Sequence, residues 1–274
     1  RIATPGTLTE EIELGNNDNN YLMSFIARSK NYGAAWVDIS TGEVNCKVCE
    51  GFKDLLEVYL NIGPSEVLIT DQFFEKNFLK NLPKGAPLTY FNSLKKSQDA
   101  LTDNVIKVYK ENKNFFKKEF SNNELLSLGI IFDYISYTQN GKLPHLKNPL
   151  QIKEKTLLEI DNASKRNLEI IKTLSGEKEG SLLSSVDYTI TSAGKRKLSS
   201  DLESPLNSFE EINQRLNLVE FFFQNYNFTN SDLHEKLKKI PDIARASNRL
   251  SVRRGSPRDL SSIMLGLEQF DNLV

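Results

Sequence analysis

Tyr21-Leu-Met-Ser-Phe-Ile-Ala27, Ala34-Ala-Trp-Val-Asp-Ile39 and Glu43-Val-Asn-Cys-Lys-Val48 are three short apolar runs set close together, and their order decides the fold. Runs of this length bounded by turn-forming residues read as strands. Arg28-Ser-Lys-Asn-Tyr-Gly33 makes the first turn. Ser40-Thr41-Gly42 makes the second, with Gly42 where a three-residue hairpin loop needs a left-handed residue. Phe52, Leu55, Leu56, Tyr59 and Leu60 then follow the i, i+3, i+4, i+7, i+8 spacing of a helix, which Gly63-Pro64 stops. Val67-Leu-Ile69 is a short buried strand, and Asp71 is placed to cap a helix carrying Phe74 and Phe78. The order β-β-β-α-β predicts a mixed sheet: three antiparallel strands, a crossover helix and a returning strand.

Beyond a stretch punctuated by Pro83, Gly85 and Pro87, Ser121 and Glu124 form a capping box. Leu125, Leu128, Phe132 and Ile135 stripe the helix it opens. Asn140-Gly-Lys-Leu-Pro-His-Leu-Lys-Asn-Pro149 breaks periodicity twice and marks a domain boundary. The remainder reads as helical. Asp161 caps a helix carrying Leu168, Ile171 and Leu174, closed by Gly176. A second spans about 192 to 203, ahead of Pro205. A third follows the Ser208/Glu211 capping box, with Ile212, Leu216, Val219 and Phe223 as its stripe. Pro257-Arg-Asp-Leu260 reads as a further helix start. The expected class is α/β plus all-α.

Composition agrees with two globular domains. The chain has 274 residues, 39% of them hydrophobic and 26% charged, which excludes wholesale disorder. No apolar run approaches the roughly 20 residues of a membrane-spanning helix. The net charge of −1 supplies no global attraction to nucleic acid. Two cysteines in this length point to a reducing, cytoplasmic compartment. The chain opens on Arg1 rather than Met, so a piece of a longer protein is expected.

Chemistry-bearing patterns are sparse. Cys46-Lys-Val-Cys49 has the spacing of half a zinc site, but His145 and His234 are each isolated, and positions i and i+3 of a strand face opposite ways. A β-β-β-α-β sheet is shared with metal-dependent nucleases, in which carboxylates hold two ions. Asp38 and Asp71 stand at suggestive strand positions, with Asp133 as the only further candidate. The competing reading of Asp38 is a residue bonded to its own turn. No phosphate-binding loop occurs, since Thr189 stands where Gly194-Lys195 would need a partner glycine. Two basic clusters remain. Between Lys236 and Arg258 there are eight Lys and Arg against Asp242 alone, and Lys238, Lys239, Arg253 and Arg254 are the candidates for phosphate contact. Lys107, Lys110, Lys113, Lys117 and Lys118 interleave with Tyr109, Phe115 and Phe116, a pattern equally suited to stems lying over apolar surface.

Six segments taken together resemble one family. They are Thr4-Pro-Gly-Thr7, Val37-Asp-Ile-Ser-Thr-Gly42, Leu143-Pro-His145, Glu159-Ile-Asp-Asn-Ala163 with Arg166-Asn-Leu-Glu169, Thr173-Leu-Ser-Gly176 and Pro257-Arg-Asp-Leu260. In this order the chain is similar to the MutS family of bacterial DNA mismatch-recognition proteins. The resemblance implies residues 1–10 as a linker from a mismatch-binding domain that is not in this sequence. It implies a ribonuclease-H-like connector domain at 11–142, without the nuclease site, then a linker at 143–151 and a truncated helical lever or core domain at 152–274. Thr4, Pro5, Gly6 and Thr7 match the linker; Asp38, Ser40, Thr41 and Gly42 are expected to fix the connector hairpin. Asp161, Arg166, Asn167 and Glu169 are expected to fix the first lever helix. The family's aromatic wedge and its ATPase motifs do not occur here, so the resemblance implies no catalysis and no cofactor in this segment. ATP and Mg²⁺ belong to the longer parent. The implied partners are a MutL-type protein and, through the missing domains, mismatched duplex DNA, with a homodimeric parent and a monomeric segment. No membrane partner is implied, and the implied location is cytoplasmic, nucleoid-associated in function.

Overall fold

The computed structural model describes residues 2–9, 19–28, 31–70, 85–91, 97–109, 116, 118–152, 158, 160–225 and 233–271. They fall into two units. The first takes in 2–9, the described part of Asn19–Ile152, and Asn248–Arg254; the second takes in the described parts of Lys153–Ser247 and Gly255–Val274. The helix expected after Asp71 lies outside the described residues.

In the first unit, β1 (Tyr21–Arg28), β2 (Asn31–Asp38) and β3 (Glu43–Cys49) form an antiparallel meander. Helix α1 (Phe52–Ile62) follows, ending on Gly63 at φ 54°, and β4 (Glu66–Ile69) returns parallel to β1. The sheet also has two edges that the sequence pattern does not announce. β5 (Leu88–Tyr90) adds parallel to β4, and the two-residue β6 (Leu150–Gln151) adds parallel to β3, giving the order β5-β4-β1-β2-β3-β6. Residues 143–151, expected as linker, thus contribute a strand to this unit.

Alternation along the strands sends side chains to two cores. Leu22, Ile26, Ala35, Val37 and Cys46 join one cluster, covered by α2 (Gln98–Tyr109) and α3 (Asn122–Thr138). Met23, Phe25, Ala34, Trp36 and Cys49 join the other, covered by Leu55, Val58 and Tyr59 of α1. Val58 takes the place expected of Leu60, which is exposed. Because both faces are covered, the strands read as nearly unbroken apolar runs. The Ser121/Glu124 capping box is present, with Glu124 N–H donating to Ser121 Oγ at 3.2 Å and Ser121 N–H to Glu124 Oε2 at 2.8 Å. α3 is buried well beyond its expected stripe; Leu126, Gly129, Ile130, Ile131 and Tyr134 are inside as well. A Cβ on Gly129 would stand 2.8 Å from Leu101 O, so glycine sets the approach of α2 to α3.

The second unit is built from short helices with side-chain caps. Asp161 caps α4 (Asn162–Asn167), accepting from Ser164 N–H at 2.9 Å. The helix expected to run on through Leu174 stops at Asn167. Glu169 enters the left-handed region at φ 49° and its carboxylate accepts from Leu174 N–H at 2.6 Å, so the chain turns instead of continuing. Ser181 caps α5 (Leu182–Val186), Thr191 caps α6 (Ser192–Glu203) and Ser208 caps α7 (Phe209–Gln224). A helical stretch at 233–238 precedes α8 (Ile243–Ser251), whose residues from Asn248 on belong to the first unit, and α9 (Pro257–Asp271). Asp259 at the start of α9 accepts from Ser256 N–H at 2.7 Å and donates its own N–H to Ser256 Oγ. The stripe expected to be buried on α7 is exposed: Leu216 is 57% and Phe223 80% accessible. No helix among the described residues is long and apolar enough to cross a membrane.

One ion pair ties the second unit together across sequence. Arg196 grips Asp242 with two parallel bonds, Nη1 to Oδ2 at 2.7 Å and Nη2 to Oδ1 at 3.1 Å. Burial pushes the Asp242 carboxyl up, but the Arg196 fork and then Arg245 outweigh it and hold it below the ordinary carboxylate range. The unfolded chain therefore binds this proton more readily. The pair's contribution is complete above the unfolded value of about 3.9 and is lost as pH falls through the lower folded value. Thermal unfolding from pH 7 to 2.5 is expected to show this acid loss, and Asp242→Asn to reduce it while costing up to about 3 kcal/mol at neutral pH. Identical acid profiles for the two proteins would refute the assignment.

Candidate functional site

Asp38 ends β2 and is fully buried. Its Oδ1 accepts from Ser40 N–H at 2.8 Å, Ser40 Oγ at 2.7 Å and Thr41 N–H at 3.3 Å; Oδ2 accepts from Asn20 N–H at 3.3 Å. A carboxylate one or two residues before a turn folds back on that turn's amides, and here it organises a four-residue loop, Ile39 to Gly42, one longer than expected. Gly42 closes it at φ 75°, its N–H donating to Asp38 O at 2.8 Å. Asp38, Ser40, Thr41 and Gly42 therefore act together.

The nuclease alternative needs several acids converging on free oxygens. Both Asp38 oxygens are already bonded, Oδ1 inside the hairpin and Oδ2 to Asn20 N–H. Among the described residues no group of three or more His, Cys, Asp or Glu is placed to share a cation. Asp71 lies outside the described residues, and Asp133 sits half-buried on α3. The geometry does not favour that alternative. Cys46 and Cys49 lie in opposite core clusters, so they do not face one ion. Burial first, and then Glu124, pushes the Cys46 thiol far up, which suits a neutral core residue.

Thr4, Pro5, Gly6 and Thr7 form a 3₁₀ turn whose reciprocal bonds run between Thr4 and Thr7. The turn docks on a residue the sequence did not single out. Gly6 N–H donates to Glu66 Oε2 at 2.9 Å, while Thr89 Oγ1 and Tyr134 Oη donate to Glu66 Oε1 at 2.6 and 2.7 Å. A Cβ on Gly6 would lie 2.8 Å from both Glu66 Cβ and Leu22 Cδ1. Burial, then the Glu66 contact, raises the Tyr134 phenol strongly and keeps it a donor. The only sequence signal for Glu66 was a charged residue adjoining a fully apolar strand.

In the second unit Asp161 caps α4 and Glu169 pins the turn after it; Arg166 and Asn167 are exposed in the helix's last turn. The basic candidates separate. Lys238 and Lys239 are exposed, Lys238 pairing with Glu235 at 2.8 Å. Arg253 is exposed at φ 58°. Arg253 and Arg254 both belong to the first unit, and Arg254 donates to Thr9 Oγ1 at 3.1 Å and to Gln139 Oε1. Both of its terminal nitrogens are thus engaged within the first unit. In the other basic cluster Tyr109 stacks on Phe116 with centroids 5.7 Å apart, and its hydroxyl donates to Lys147 O. Those aromatics serve packing; Lys110, Lys113, Phe115 and Lys117 lie outside the described residues.

Two family profiles match the chain, one within the first unit and the other over most of the second together with 248–254 of the first. MutS domain II matches residues 20–147 and MutS domain III matches residues 163–274. The chain belongs to the MutS family and carries these two of its domains. Relatives named DNA mismatch repair protein MutS match along its whole length. That of Ruegeria pomeroyi is 37% identical over 278 residues, covering 100% of this chain and 31% of the relative. Those of Wolbachia pipientis wMel and Ehrlichia ruminantium (strain Welgevonden) are each 34% identical, covering 97% and 100% of this chain and 31% and 34% of the relatives. The chain thus spans about a third of the length of these proteins.

A Cβ on Gly42 would stand 2.2 Å from His145 O, in addition to its left-handed φ. Gly42→Val is expected to cost about 1–3 kcal/mol from backbone strain alone, with the overlap adding to it. Denaturant unfolding of the two proteins measures this, and an unchanged midpoint would contradict the hairpin's structural role.

Proposed function

We propose that the chain is the connector and lever segment of a DNA mismatch-repair protein, non-catalytic by itself. It couples DNA engagement to the ATPase and to recruitment of a MutL-type protein in the longer parent. The observation that carries this is the pairing of two units with two MutS domains, in a first unit whose hairpin carboxylate is consumed structurally. We read that unit as ribonuclease-H-like. Supporting this, three antiparallel strands are followed by a crossover helix and strands parallel to β1, with β1 central. Fold does not carry function with it, and the same sheet without free carboxylates suits a scaffold.

ATP and Mg²⁺ act in the parent's other domains, and mismatched duplex is read by them. Lys238, Lys239 and Arg253 are retained as phosphate contacts on the strength of their exposure. The apolar side chains exposed on α7 and α9, among them Phe221, Phe223, Met264 and Phe270, are packing faces for further helices of the lever. The parent is a homodimer and the isolated segment a monomer, located in the cytoplasm.

The test is one titration series with the purified chain. Saturable binding to a MutL-type protein is expected, mapped by surface substitutions on the first unit, together with weak, salt-sensitive binding to duplex that does not distinguish mismatched from matched DNA. No cleavage of the duplex is expected with Mg²⁺ or Mn²⁺ present. Failure to bind the MutL-type protein would remove the recruitment role. Metal-dependent cleavage abolished by Asp38→Asn would overturn the non-catalytic reading.

A further inference from the structure

The hairpin at 39–42 holds a segment distant in sequence. Asn248 is only 2% exposed, and its Nδ2 donates to Ile39 O and Ser40 O, both at 3.3 Å. Ser251 Oγ accepts from His145 N–H at 3.1 Å and donates to Asn248 O, tying the segment to the strap that follows α3. Lys147 N–H donates to Gly42 O at 2.8 Å, so strap and hairpin form one wall. Gly42 has no Cβ because Asn248 Nδ2 and His145 O occupy that space, at 2.9 and 2.2 Å from where it would stand. Arg254 anchors the far end on Thr9 and Gln139. Together these make a socket of two carbonyl acceptors and one amide donor, filled by a carboxamide and a hydroxyl.

The character of these contacts sets how the segment is held. Val252 is buried, at 6% exposure, and the segment's hydrogen bonds to the hairpin and strap come from Asn248 and Ser251. Each of these bonds has a direct replacement in water, and the two Asn248 bonds are long, so their loss on withdrawal costs little. Arg253 sits in the left-handed region at φ 58°, a conformation that non-glycine residues leave readily when released. The sheet beneath is held differently, by two apolar cores that open only together.

We propose that residues 248–254 form a removable plug in the hairpin socket, leaving and re-entering while the sheet stays folded. The inference does not depend on the role proposed above. A withdrawn plug leaves the carbonyls of Ile39 and Ser40 and the His145 amide facing solvent, a set that accepts a carboxamide side chain and no carboxylate. Asn248 is the positioning residue.

Residue-resolved hydrogen exchange on the whole chain, without DNA or partner, tests this. In the unmodified protein the His145 amide is expected to exchange at least tenfold faster than the central-sheet amides of Met23 and Phe25, through an opening insensitive to low denaturant. Asn248→Ala is expected to speed His145 about a further tenfold, leaving Met23 and Phe25 unchanged. Ser251→Ala, an exposed and milder change, is expected to speed His145 selectively. Socket and ladder amides exchanging at one common rate in the unmodified protein would overturn the proposal. Acceleration of both sets by Asn248→Ala would do the same, since Asn248 would then be an ordinary core residue.

Discussion

Strands β1 and β2 have helices over both faces, so every polar group that enters them must find its partner inside the protein. Three carboxylates meet that requirement at the margins of the sheet, all fully buried: Asp38 at the end of β2, Glu66 at the start of β4 and Glu124 at the start of α3. An unpaired buried charge is costly enough that each must gather donors. Asp38 gathers the hairpin and Asn20. Glu66 gathers the amino-terminal turn, β5 and α3. Glu124 gathers its own cap and Gln151 of β6, whose Nε2 donates at 3.0 and 3.1 Å. The hairpin, the amino-terminal turn and the β5 and β6 edges of the first unit are thus each fastened by a carboxylate.

This division explains what the sequence made legible. The central meander, α1 and α3 were readable because burial on one or two faces imposes a period on the chain, and because Gly63 and the Ser121/Glu124 box end or begin helices by local chemistry. β5 and β6 were not readable, since three and two residues are too short for any period. Their positions follow from bonds to Glu66 and Glu124 far away in sequence. The same holds for Asn248: nothing local distinguishes it from a solvated helix residue. Where local pattern misled, the cause was also tertiary. Leu168, Ile171 and Leu174 keep helical spacing, yet Glu169 folds its carboxylate onto the Leu174 amide and ends the helix. Of the candidate site, the Asp38 turn was legible as one of two readings; Glu66, which anchors the Thr4–Thr7 turn, was not.

The same carboxylates decide between a scaffold and a nuclease. A metal-binding acid must offer lone pairs to the ion, and its neighbours must be other acids or water. Asp38 is surrounded instead by N–H and O–H donors from its own turn and from Asn20, an arrangement that satisfies negative charge without a cation. To free it for metal, the hairpin would have to open, and with it the wall that His145 and Lys147 share. Structural use and catalytic use of this residue are therefore mutually exclusive in one conformation.

The second unit is organised by a different balance. Its helices start on Asp161, Ser181, Thr191, Ser208 and the Ser256/Asp259 pair, and each cap contributes only about 0.5–2 kcal/mol. Helices of five or six residues such as α5 and α4 do not persist on caps alone. The remaining cohesion comes from the Arg196–Asp242 pair, from the turn pinned by Glu169, and from Gly266, whose missing Cβ admits Ile243 within 2.3 Å of its position. Against this, α7 buries none of its sixteen residues and leaves its phenylalanines in solvent. A rod that carries motion between sites must resist bending, and an uncovered amphipathic helix resists it poorly because frayed turns have little to lose. In the lever role proposed for this unit, stiffness is therefore not intrinsic to α7 and α9 but would depend on cover over their exposed apolar faces.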